Sequence, residues 1–173
     1  MSFIYIIGPA GSGKSAITLA LQEKGFLAFD EDDPAVGSAH NKITNNSVMV
    51  PSALDRTSDW FDKHEWRVLD SAMQNMLKLS EDDTVILLGN CYENINPENI
   101  FDKVIYLNVS ADILQARIAH RIGNDFGKNA DEMQIILKRK SNTDVIFLNS
   151  GVEIINADQS LEDVVNDTVA CII

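Results

Sequence analysis

An α/β fold with a five-stranded parallel sheet flanked by helices is what this sequence predicts, and three observations predict it. Apolar, β-branched runs alternate with helix-period segments along the chain. A glycine-rich loop separates the first such run from the first helical segment. The 173 residues are 45% hydrophobic, enough for one ordinary globular core. The whole span 1–173 is therefore expected to be one domain.

The elements follow in order. The first strand is expected at 3–7, Phe-Ile-Tyr-Ile-Ile, and the first helix at 14–24, with Gly25 as its stop. The second strand, 26–29, ends at the acidic cluster Asp30-Glu31-Asp32-Asp33. Residues 34–59 are polar and show no long periodicity. They are too many for a simple connection, so a binding segment is expected over about 34–67. A helix over 60–79 would place Trp66, Leu69, Met73, Met76 and Leu77 on one side. Strands are expected at 84–88 and 103–109. Ser110 would cap a helix over 111–122. A polar loop at 123–129 precedes a helix at 130–140. The fifth strand is expected at 151–156 and a last helix at 160–173, opened by Ser160-x-x-Asp163.

Gly8 to Ser15 read Gly-Pro-Ala-Gly-Ser-Gly-Lys-Ser, a complete Walker A sequence between a strand and a helix. This places the fold among P-loop NTPase three-layer sandwiches. Gly8, Gly11 and Gly13 are expected to free the backbone so that N–H groups converge on phosphate, with Ser12 and Ala16 completing the cradle. The helix start adds its positive dipole end. Lys14 would reach the β- and γ-phosphates of ATP, and the Ser15 hydroxyl would hold Mg²⁺.

Asp30 and Asp32 follow the second strand, at the sheet end where ligands bind in open parallel sheets. On an extended chain both would project the same way and Glu31 the other, leaving Glu31 dispensable. Asp30 would then serve the metal and Asp32 would accept the acceptor's hydroxyl proton. Arg117 and Arg121 stand four apart, on one helix face, and could stabilise charge developing on phosphate. Gly123 and Gly127 bracket a candidate lid over about 121–130, where Lys128 could reach phosphate; Arg139 is a further candidate. Arg56 could pair with an anionic group and Trp60 could stack on a ring, while His64, Trp66 and Arg67 lie close by. Asn90 could donate to the acceptor.

Gly8 to Ser15 followed by Phe29-Asp30-Glu31-Asp32 resembles the small nucleoside and metabolite kinases. Shikimate kinases and gluconate kinases are nearest in pattern, and adenylate kinases more distant. That resemblance implies Asp30 near Mg²⁺ and Asp32 at the substrate hydroxyl. Leu114-x-x-Arg117-Ile118-x-x-Arg121 is similar to the helix entering their lid, which implies that both arginines touch ATP phosphates. Asn156-Ala157-Asp158 resembles the turn that passes the adenine, which implies a nucleotide contact at Ala157. The sequence also departs from the pattern. Gly89-Asn90-Cys91 stands where shikimate kinases carry three glycines, the lid lacks an Arg-Pro pair, and no Walker B aspartate follows Leu88. Shikimate is therefore not the expected acceptor.

The expected activity is transfer of the ATP γ-phosphate to a small hydroxyl- or phosphate-bearing acceptor. A nucleotide switch is the alternative, but Asn41-Lys42-Ile43-Thr44 lacks the aspartate of a guanine-reading motif. An ATP-binding protein without turnover is the other. A formal net charge of −12 argues against a protein that coats nucleic acid. The first strand begins close to Met1 and no apolar run is long enough for a membrane helix, so a cytoplasmic monomer or homodimer is expected. Cys91 and Cys171 fit no metal or redox spacing, and His40, His64 and His120 are too scattered for zinc.

Overall fold

The computed structural model describes residues 1–53, 55–90 and 100–173. Cys91 lies outside them. β1 (Ser2–Ile7) is the centre of a five-stranded sheet, with β5 (Thr84–Gly89) on one side and β6 (Lys103–Asn108) on the other. β2 (Leu27–Asp30) pairs with β5 and β7 (Glu153–Asn156) with β6, all in parallel. Both faces of this sheet are covered, which is why β1 and β5 read as continuous apolar runs rather than alternating ones.

The alternation sorts side chains between two cores. Ile4 and Ile6 of β1 pack with Ile17 and Leu21 of α1 (Lys14–Glu23), Leu114 and Ile118 of α4 (Ala111–His120), and Val164 and Val165 of α6 (Leu161–Ile172). Phe3, Tyr5 and Ile7 face the other way, onto Met76 of α3 (Asp70–Ser80) and Phe101. There Tyr106 stacks on Phe147 of α5 (Ala130–Phe147), centroids 5.3 Å apart, and its hydroxyl donates to Asp144, 2.5 Å. Burial and the Asp144 carboxylate push the Tyr106 phenol well above its ordinary value. The helix starts follow the expected chemistry: Ser110, Asn129 and Ser160 each accept an N–H from the third residue on.

Three elements differ from expectation. The expected helix over 60–79 is split into α2 (Ser58–Lys63), β4 (His64–Val68) and α3. β4 pairs antiparallel with β3 (Gly37–Asn41), Ala39 opposite Trp66, so part of the polar 34–59 stretch is sheet. Pairing across 27 residues, from Ala39 to Trp66, outweighs the local helical period. α4 stops at His120 and α5 continues to Phe147, because Ile136 and Phe147 are both buried.

Candidate functional site

The phosphate loop joins β1 to α1. Gly11 and Gly13 hold φ of +86° and +99°, a region closed to most side chains. Gly8 does not share that conformation; a Cβ there would meet the Ser12 hydroxyl at 2.5 Å and Leu107 at 3.0 Å. Its role is close approach rather than a special φ. Gly8 and Ser12 are buried beneath the cavity and do not line it. The Ser12 hydroxyl has no hydrogen-bond partner among the described residues.

The Lys14 ammonium is 7% exposed and donates to the carbonyls of Gly8, 2.8 Å, and Pro9, 3.1 Å. Among the described residues it has no carboxylate within ion-pair distance. A buried cation that meets only carbonyls, beside free N–H groups of a first helical turn, fits a bound anion. Ser15 and Ala16 are exposed on that turn and line the cavity with Ala10, Gly11 and Gly13.

The cavity over this loop has a volume of about 410 Å³. Among the described residues its walls carry five cations, Lys14, Lys42, Arg117, Arg121 and Arg139, and three acids, Glu31, Asp32 and Glu65. The chain as a whole has 14 basic against 26 acidic residues, so the described lining inverts the balance of the molecule. Such a concentration of positive charge favours polyanions. Arg117 lies across the loop, donating to the carbonyls of Ser12, 3.5 Å, and Gln159, 3.4 Å. Arg121 does not continue the helix face; it is the extended C-cap of α4, yet it too lines the cavity. It donates to the carbonyls of Asn124, 3.2 Å, and Phe126, so it grips the candidate lid. Burial lowers its pKa, while Asp32 opposes that shift.

The acidic cluster is not extended. β2 ends at Asp30, whose carboxylate accepts the Asp32 N–H at 3.0 Å and closes a turn. Asp30 does not line the cavity; Glu31 and Asp32 do. The expected alternation, with Asp30 and Asp32 projecting together and Glu31 away, is corrected accordingly. Asp32 is open to the cavity. Crowding by protein raises its pKa, Lys14 opposes this, Asp30 adds to it and Arg121 opposes it. Glu31, expected to be dispensable, is 2% exposed. Its carboxylate accepts from the Tyr5 hydroxyl, 3.3 Å, and the Asn90 N–H, and its carbonyl from the Trp66 indole, 2.8 Å. Gly89 belongs to this arrangement: a Cβ there would fall on the Glu31 carboxylate.

Two other expected site residues lie elsewhere. Arg56 does not line the cavity; it is bound to Glu132, 2.6 Å, and Asp125, 2.7 Å, tying the 34–67 segment to the candidate lid. Glu132 is fully buried and also accepts the Gly127 N–H at 2.7 Å. Ala157 is fully buried in the core and its N–H pairs with Asn108, so its side chain meets no ligand space. Lys128 turns back onto the Arg121 carbonyl, 2.8 Å. Trp60, His64, Trp66 and Asn90 do line the cavity. The sequence reading missed Lys42, Phe61, Phe126, Asn142, Thr143 and Ile146, which join them. An aromatic residue between two lid glycines was the available signal for Phe126. No group of three metal-binding side chains occurs among the described residues, and no described helix is long and apolar enough to cross a membrane.

A central β1, a left-handed-glycine phosphate loop and a cation-lined cavity at the carboxyl ends of the strands define a P-loop protein with the small-molecule kinase fold. The chain belongs to the family described as AAA domain, whose model matches residues 4–137. Among solved structures it is similar to a shikimate kinase from Acinetobacter baumannii in complex with shikimate, 15% identical over 99% of this chain and 93% of that one, TM-score 0.60. A deoxyadenosine kinase from M. mycoides with bound dATP is 18% identical, covering 98% of both chains, TM-score 0.56. A gluconokinase from Sinorhizobium meliloti 1021 is 16% identical over 97% of this chain and 89% of that one, TM-score 0.55. No curated protein matches the chain by sequence.

Proposed function

We propose that this chain is an ATP-dependent phosphotransferase acting on a small hydroxyl-bearing acceptor. It would work as one unit, with an acceptor segment over 34–67 and a lid over 121–130. The observation that carries this reading is the cavity itself. An acidic protein gathers five cations around a Walker A loop, and a carboxylate, Asp32, lines the same space.

The residues have separable tasks. Backbone N–H groups from Gly11 to Ala16 and the Lys14 ammonium would bind the phosphates. Arg117 and Arg121 would stabilise charge as it spreads over the transferred group. Asp32 would take the acceptor's hydroxyl proton. The acceptor oxygen forms its bond to the γ-phosphorus as the bond to the β–γ bridging oxygen breaks, and ADP leaves. A raised pKa suits a group that must accept a proton near neutral pH. Ser15 is the cavity-lining hydroxyl that could hold Mg²⁺, which when bound would neutralise phosphate charge. Phe126 and Arg121 would keep water from the transferring phosphate when the lid is down.

The test is Lys14→Ala. ATP binding is expected to weaken strongly and phosphate transfer to vanish, read by calorimetry and by transfer from labelled ATP across an acceptor panel. Unchanged affinity and turnover would refute the assignment. ATP binding with no transfer to any acceptor would instead support a nucleotide-sensing protein.

A further inference from the structure

The wall facing the phosphate loop is aromatic, and it is fixed in place. Trp60 stacks on His64, centroids 4.6 Å apart, and meets Phe61 edge-on at 5.0 Å. Phe61 reaches Phe126 of the lid at 5.7 Å, and the Arg139 guanidinium lies 5.8 Å from the Phe61 centroid. Lys42 donates to the Phe61 carbonyl, 3.2 Å, and the Trp66 indole is held by the Glu31 carbonyl. All of these side chains line the one cavity. Rings held this firmly lose little entropy when another ring stacks on them.

Three amides line the cavity among the described residues, Asn90, Asn124 and Asn142; Asn124 accepts the Phe126 N–H, and no side-chain hydrogen bond ties Asn90 or Asn142 to a described residue. An amide offers a donor and an acceptor side by side, which suits a ring edge carrying both. Arg56, expected to meet an anionic group of the acceptor, is held by Glu132 and Asp125 instead.

We infer that the acceptor is a nucleoside: a flat heteroaromatic ring against Trp60, Phe61 and Trp66, its edge read by Asn142 and Asn90, its sugar hydroxyl at Asp32. This rests on the phosphotransferase reading only for what happens next; the binding itself can be measured alone. The two tryptophans of the chain are Trp60 and Trp66, and both line this cavity. Intrinsic fluorescence therefore reports the acceptor site without a label.

The experiment titrates adenosine, guanosine, cytidine and thymidine, with shikimate and gluconate as acceptors lacking an aromatic ring. Magnesium tripolyphosphate fills the phosphate loop without bringing a second ring. At least one nucleoside should quench fluorescence saturably, and shikimate and gluconate should not. Trp60→Leu should weaken that nucleoside roughly ten-fold or more, with Trp66 still reporting. Trp60→Phe keeps a ring and should retain most of the affinity, which separates stacking from misfolding. Asn142→Ala should weaken it several-fold. The inference is overturned if no nucleoside quenches, if Trp60→Leu leaves the affinity unchanged in a folded protein, or if phosphate is transferred to a ringless acceptor. Nucleoside binding without transfer from ATP supports the inference and counts against the phosphotransferase reading alone.

Discussion

The two walls of the cavity are built in opposite ways. The phosphate loop is local: Lys14 bonds to carbonyls five and six residues back, and Gly11 and Gly13 set their own φ. The acceptor wall is assembled from afar. Glu31 meets Asn90 across 59 residues and Trp66 across 35, and the segment that carries Trp60 is tied to the lid by Arg56, which lies outside the lining and meets Glu132 across 76 and Asp125 across 69. A local device works wherever its few residues recur, and so it can be read as a motif. A wall of distant pieces exists only once the chain has folded, and it can change its chemistry without touching the loop.

The comparison breaks most sharply at Asp32, where the two walls face each other. Asp32→Asn should cut phosphate transfer by about 10²–10⁴-fold while leaving nucleotide binding close to parental, the range for losing a general base. Equal losses in both, measured by calorimetry beside turnover, would place Asp32 on the donor wall instead.

Arg56→Met tests the distant assembly. It strands Glu132, which is fully buried, without its cation. Loss of one partner of a buried pair costs about 3–5 kcal/mol. Denaturant midpoints should show it, and Glu132→Gln in the same chain should restore part of the loss. Restoration would tie the cost to the stranded charge. A cost near zero would mean the tie between segment and lid is ornamental.

Glu31→Ala should destabilise by about 1–3 kcal/mol, because the Asn90 N–H loses its carboxylate and the Tyr5 hydroxyl loses an acceptor. Asp33→Ala, on the neighbouring exposed turn, makes the contrast. Similar denaturation midpoints for the two would remove Glu31 from the architecture.

The smallest effect is the pH dependence of stability. Crowding raises the pKa of Asp32 in the folded chain, so the folded state holds this proton more tightly than the unfolded one. The stability this contributes is present below the ordinary carboxylate value of about 3.9 and is lost as pH rises through the raised value. Asp32→Asn should therefore be more stable than the parent at pH 7, with the gap closing on acidification. Denaturation at stepped pH reads the sign, and a less stable variant at pH 7 would contradict it.

Much of this was legible in the chain. Continuous apolar strands, caps at Ser110 and Ser160, and the Walker spacing are statements about residues a few positions apart, and each stands in the structure. Hydrophobic period and cap chemistry act over one or two turns, so linear sequence carries them. The acidic cluster shows where that reach ends. Asp30, Glu31 and Asp32 alternate on paper, but one Asx turn rotates them, moving Asp30 out of the cavity and Glu31 into it. The helical period over 60–79 was real, yet pairing with Gly37–Asn41 outweighed it. Arg56 had the charge for a ligand, and a buried glutamate 76 residues away claimed it. The sequence by itself determined the sheet and the phosphate loop, because those depend on local backbone conformation and periodicity. Only the tertiary structure decided which acids, cations and rings line the cavity. Burial, ion pairing and strand register are settled between residues that meet only after folding.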